Sequence, residues 1–133
     1  NEVASFEGQF VRFEPSWQWP KPSQQPRPRT LIGGAAGPKL FAQLVEYADG
    51  WMPIAGRAGG GDIATLKAAC EKRGRDFSEI TLGLFMAPRE EAEIAQRIEQ
   101  GYTEFIFGVA AEDRDAVLEQ LDQIAAFAEL IRP

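Results

Sequence analysis

Thr30-Leu31-Ile32-Gly33-Gly34-Ala35-Ala36-Gly37-Pro38-Lys39 reads as an apolar strand running directly into a helix, through a turn that carries almost no side chains. Leu31 and Ile32 supply the strand end. Gly33, Gly34 and Gly37 let the backbone turn tightly or approach a ligand closely, and Pro38 suits the first turn of a helix. Such a turn leaves backbone N–H groups free at the positive end of a helix, where an anion is stabilised. These residues alone are compatible with two readings: a phosphate-binding loop, or a tight turn with no ligand.

Downstream of the turn the same strand-then-helix pattern recurs. Leu40, Phe41, Leu44, Val45 and Ala48 share one face of a helix over residues 38–48, which Asp49-Gly50 ends. Residues 50–54 predict a short strand, followed by a glycine-rich loop through Gly59-Gly60-Gly61. Asp62 is placed to cap a second helix carrying Ile63, Leu66 and Cys70, stopped by Gly74. The unbroken apolar run at 80–86 is the signature of a strand covered on both faces. A third helix is expected over 89–100 with Ile94, Ala95 and Ile98 inward, and a fourth strand over 104–109. A last helix over 113–131 carries Val117, Leu121, Ile124, Ala128 and Ile131 at spacings of four and three.

Four such units in about 100 residues imply an α/β protein with a parallel sheet and right-handed crossovers. The pattern fits either an open doubly wound sheet or four of the eight units of a (β/α)8 barrel, which usually takes about 250 residues. Residues 1–29 stand apart from this body at 30–133. They hold a short extended or hairpin-like element at 1–13, then a Pro- and Trp-rich stretch that favours extended geometry and is expected to pack over the domain or its pocket.

Composition narrows the function. The chain has 133 residues, 44% of them hydrophobic, enough for one compact core. A net charge of −6 argues against nucleic acid or an anionic membrane surface as partner, and no apolar run approaches a membrane span. The single cysteine, Cys70, fits a reducing, cytoplasmic setting and sits in mid-helix as a core residue. The chain contains no histidine, which removes Ser-His-Asp and Cys-His arrangements and ordinary zinc sites. Glu90-Glu91 and Asp113/Asp115 fall in first turns of helices, where they complement the helix dipole. The four strand ends offer no carboxylate, histidine or nucleophile, so no catalytic or metal-ligating residue is assigned. What remains is a binding apparatus: Gly33, Gly34, Ala35 and Gly37 in the turn, the strand-end residues Trp51 and Met52, and Arg57 in the glycine-rich loop. The start at Asn1, without an initiator Met, suggests a piece of a longer product.

Several stretches together carry a family resemblance: Glu7-Gly8-Gln9-Phe10-Val11-Arg12-Phe13, Trp19-Pro20-Lys21-Pro22, Gln25-Pro26-Arg27-Pro28, Leu31-Ile32-Gly33-Gly34 and Tyr47-Ala48-Asp49-Gly50-Trp51-Met52-Pro53. Gly74-Arg75-Asp76, Gly101-Tyr102-Thr103-Glu104 and Leu118-Leu121-Asp122 continue it in order. With these the chain resembles the luciferase-like monooxygenase superfamily, closest to its deazaflavin-dependent oxidoreductases. The resemblance implies the C-terminal half of a TIM barrel, strands five to eight with their helices. It also implies a cofactor, the deazaflavin coenzyme (F-420) or alternatively FMN, whose phosphate rests on Gly33 and Gly34 with Ala35 and Gly37 as neighbours. The implied activity is hydride transfer to or from a small organic substrate. Strands one to four, with most of the contacts to the cofactor ring and substrate, are missing, so the chain alone is expected to be inactive. Half a barrel leaves two sheet edges and an apolar inner face open, which implies a homo-oligomer. The rival reading is a non-catalytic binding or assembly module with a half-barrel or open α/β fold.

Overall fold

The computed structural model describes residues 2–57 and 61–131. An antiparallel hairpin comes first, β1 (Val3–Glu7) with β2 (Arg12–Trp17). It is followed by β3 (Leu31–Gly33), α1 (Pro38–Tyr47), β4 (Gly50–Met52), α2 (Gly61–Arg73), β5 (Thr81–Phe85), α3 (Glu91–Glu99), β6 (Glu104–Ile106) and α4 (Arg114–Leu130). The hairpin pairs Val3 with Trp17 and Phe6 with Phe13, with a bulge between Ala4 and Phe6, and the rings of Phe6 and Phe13 stack. Its second strand thus reaches beyond residue 13. Trp17 and Trp19 do not pack over the body as the sequence suggests: they are 73% and 54% exposed.

Strands β3, β4, β5 and β6 form a parallel sheet in that spatial order. The order is sequential and lacks the reversal that defines a doubly wound sheet. Residues alternate between its two faces. Trp51, in register with Leu82, and then Leu84 point to the helices and are fully buried there. Phe41, Leu44, Val45 and Ala48 of α1 and the turn after it, Ile63, Leu66 and Cys70 of α2, and Ile94 of α3 close this core. Burial pushes the Cys70 thiol above its ordinary range, away from reactive thiolate.

The other face of the sheet carries Leu31, Gly33, Met52, Gly83, Phe85 and Ile106. There the apolar run at 80–86 is not covered as expected. Leu82, Gly83 and Leu84 are buried, but Phe85 is 41% exposed, as are Ile54 and Ile106 at 40% each. Pro53 shortens β4, with Ile54 joined to Phe85 only by an isolated bridge. The helices also deviate at their margins. Helix α2 begins at Gly61, one residue before the expected cap Asp62, which lies within its first turn, and residues 58–60 of the glycine-rich loop lie outside the described residues. Helix α3 is only nine residues long and buries Ile94 alone; Ala95 and Ile98 are exposed. Helix α4 buries no residue fully and leaves Leu121 exposed, because it follows the edge strand β6 and has sheet beneath only one flank. Its N-terminus is capped by Asp113, expected within the first turn, whose carboxylate accepts from the N–H groups of Asp115 and Ala116.

Two arginines fasten the entry to the sheet. Arg27 donates to both carboxylate oxygens of Asp49 and to the carbonyl of Tyr47, and Asp49 also accepts from the Thr30 N–H at 2.6 Å. Arg29 pairs with Glu104, tying the approach to β3 to the start of β6, the opposite edge strand. Arg75 also closes the C-terminal end of α1 by donating to the carbonyls of Leu44 and Val45.

Leu84→Ala is expected to destabilise the fold by about 2–5 kcal/mol, and Phe85→Ala, its neighbour on the open face, by about 1 kcal/mol. Comparable losses by chemical denaturation would show the two faces to be equally buried. The Arg27 hydrogen bond, then the Thr30 N–H, holds the Asp49 carboxyl below the usual carboxylate range. A lowered folded-state pKa contributes stability that is present above the unfolded value and lost as pH falls through the folded one. The melting temperature of Asp49→Asn should therefore lie below that of the parent at pH 7, and the two should converge below about pH 4.

Candidate functional site

In parallel α/β architectures ligands gather at the carboxyl ends of the strands. At that end of the open face lies a cavity of about 270 Å³, lined by Leu31, Gly33, Gly34, Met52, Ile54 and Phe85. The turn from β3 to α1 forms its rim. Gly34 has φ 131°, a conformation closed to ordinary side chains, and a Cβ there would lie 2.9 Å from Leu40 Cδ1. Gly37 is different. It is extended, at φ 177°, and a Cβ on it would meet nothing within 4 Å. Neither backbone geometry nor packing within the chain requires glycine at 37.

Helix α1 begins directly after Gly37, with Pro38 in its first turn. No side chain caps it and no acidic residue stands in its first turn, whereas Lys39 does. The first intrahelical bond runs from the Phe41 N–H to the Gly37 carbonyl at 2.9 Å, so the N–H groups of Lys39 and Leu40 have no partner within the helix. This rim is electropositive and furnished with donors.

Of the residues singled out from sequence, Gly33, Gly34 and Met52 line the one cavity, whereas Ala35 and Gly37 follow in the turn and are not among its lining residues. Trp51 does not join them. Its ring is fully buried on the helix side, edge-on to Phe41 with centroids 5.2 Å apart, and its indole N–H donates to the Gly34 carbonyl at 3.0 Å. Trp51 therefore positions the turn from beneath. Arg57 stands exposed one turn beyond Ile54 and is not among the lining residues. Ile54 and Phe85 complete the cavity and were not singled out. Their signal was the two-residue alternation from Met52 and from Gly83 onto the same face.

A second cavity, of about 450 Å³, opens beside the first between the ends of β5 and β6, lined by Met86, Ala87, Arg89, Gly108, Val109, Ala110 and Gln120. A groove of about 370 Å³ between α1 and α2 lies on the helix side, away from the strand ends. Among the described residues there is no cluster of metal-ligating side chains and no helix long and apolar enough to cross a membrane.

The family profile of the luciferase-like monooxygenases matches residues 1–130. The chain belongs to this family. An uncharacterised protein of Mycobacterium bovis and one of Mycobacterium tuberculosis (strain H37Rv) are each 32% identical to it over 126 residues. The match takes in 94% of this chain but 44% of each relative, so the chain spans less than half of their length.

Trp51→Phe keeps the apolar ring but removes the donor to Gly34. It is expected to cost about 1–2 kcal/mol and to alter the amide resonances of residues 33–37. A full-strength melt with unshifted resonances would show that the turn does not depend on the indole.

Proposed function

We propose that this chain forms the cofactor-phosphate half of a luciferase-like oxidoreductase that uses the deazaflavin coenzyme or FMN. The observation that carries the reading is Gly37, bare beside an uncapped helix terminus although nothing among the described residues occupies the space of its missing side chain. A phosphate approaching the N–H groups of Lys39 and Leu40 would use that space, and Lys39 would add to the favourable potential. Gly33 agrees: a Cβ there would make only an ordinary contact, 3.6 Å from the Met52 carbonyl oxygen.

The residues present fit a phosphate-bearing ring cofactor. The turn would take the anion, and Met52, Ile54 and Phe85 would give the ring an apolar floor that excludes water. When bound, the cofactor supplies the redox chemistry, a hydride passed to or from a small organic substrate. The lining residues bring no acid, base or nucleophile of their own, so this chain's part is binding and orientation. The sequential strand order, the uncovered apolar face and the greater length of the relatives all favour a half-barrel, strands five to eight of eight. Taken alone, a chain with that face and two free sheet edges should self-associate, a second copy covering what the remaining strands would cover.

Fluorescence titration with the deazaflavin coenzyme and, in parallel, FMN tests the site. Saturable binding of one of them is expected, weakened at least about tenfold in Gly37→Asp by charge repulsion and lost space, with a melting temperature that does not fall, because Asp is a favoured cap at this helix terminus. Equal affinity in the variant would remove the turn from the site. Light scattering at micromolar concentration tests the open face: a monomer would overturn self-association.

A further inference from the structure

We propose that the cavity between the ends of β5 and β6 is a second subsite, in which Arg89 receives an oxyanion group (carboxylate, sulfonate or phosphate) of the small organic substrate. The inference rests on the cofactor reading of the adjoining cavity only for the identity of that ligand as substrate.

Arg89 donates one N–H, from Nη2, to the Gly108 carbonyl at 2.9 Å, a bond that orients the guanidinium across the mouth of the cavity. Among the described residues no carboxylate forms an ion pair with it. Of the acids beside it and beside the far wall in sequence, Glu90, Glu91, Glu112 and Asp113, none is paired with it, and Asp113 has an oxygen engaged in capping α4. An arginine without a counter-ion, in a chain of net charge −6, keeps several donors of a planar fork that matches the geometry of carboxylate and phosphate. The far wall is fixed as well: the Ala110 N–H donates to Gln120 Oε1 at 2.9 Å, pinning the loop after β6 to α4.

The near wall carries the backbone irregularity of this end of the sheet. Met86 adopts φ 56°, uncommon for a residue with a long side chain. By this turn the consecutive residues Phe85 and Met86 line two different cavities, the first and the second. A substrate anchored on Arg89 would then extend across the end of β5 toward whatever ring rests on Phe85.

The test is an amide-resolved NMR titration of the protein carrying this chain with inorganic phosphate, and separately with FMN. Phosphate is expected to shift Gly108, Val109, Ala110 and the Arg89 Nε–H saturably. Arg89→Gln should weaken that binding at least about tenfold, and Arg89→Lys should restore part of it. No saturable shift at these positions, or equal affinity in Arg89→Gln, would overturn the subsite. FMN shifts at 33–37 without phosphate shifts at 108–110 would sink the subsite and leave the cofactor turn standing. The reverse pattern would support the subsite and remove the turn.

Discussion

Trp51 joins the core of this chain to its ligand-facing turn. Its ring fills the centre of the helix-side core against Phe41, and its single polar atom holds the carbonyl of Gly34. A buried indole N–H without a partner would be costly, so the ring cannot settle into the core unless the turn takes one position. Packing thus fixes a loop that has scarcely any side chains with which to fix itself. The bare turn at Gly33–Gly37 can stay open to a ligand because its order is supplied from beneath.

The same separation of tasks runs through the whole sheet. One face is closed by α1, α2 and α3 and contains nearly all the fully buried residues. The other face is equally apolar at Met52, Ile54, Phe85 and Ile106, yet it is only partly covered. The sheet is thus apolar on both faces but covered on one, in a chain that spans less than half the length of its relatives. The first cavity lies where that open face meets the carboxyl ends of the strands.

At the opposite end of the sheet, charge does what packing does at the top. Arg27 and Asp49 lock the chain as it enters β3, and Arg29 reaches Glu104 on the far edge strand. These pairs are partly solvated, so their worth lies in fixing direction more than in free energy. They explain how a chain leaving an exposed, Pro-rich excursion is delivered into the sheet at one register.

The sequence by itself determined the order of elements, because each signal was local. Apolar spacing marked the helices, and the glycines at 33–37 marked the turn. It also determined membership of the luciferase-like family, carried by many short stretches in order. Only the tertiary structure decided which face each residue serves. Trp51 and Met52 are neighbours in sequence and were read together, but a strand sends consecutive side chains to opposite faces, one into the core and one into the cavity. Met86 and Arg89 likewise line a cavity only because β6 and α4 supply a wall from residues 108–120. Such a wall is built by contacts between distant segments, and no local pattern encodes them.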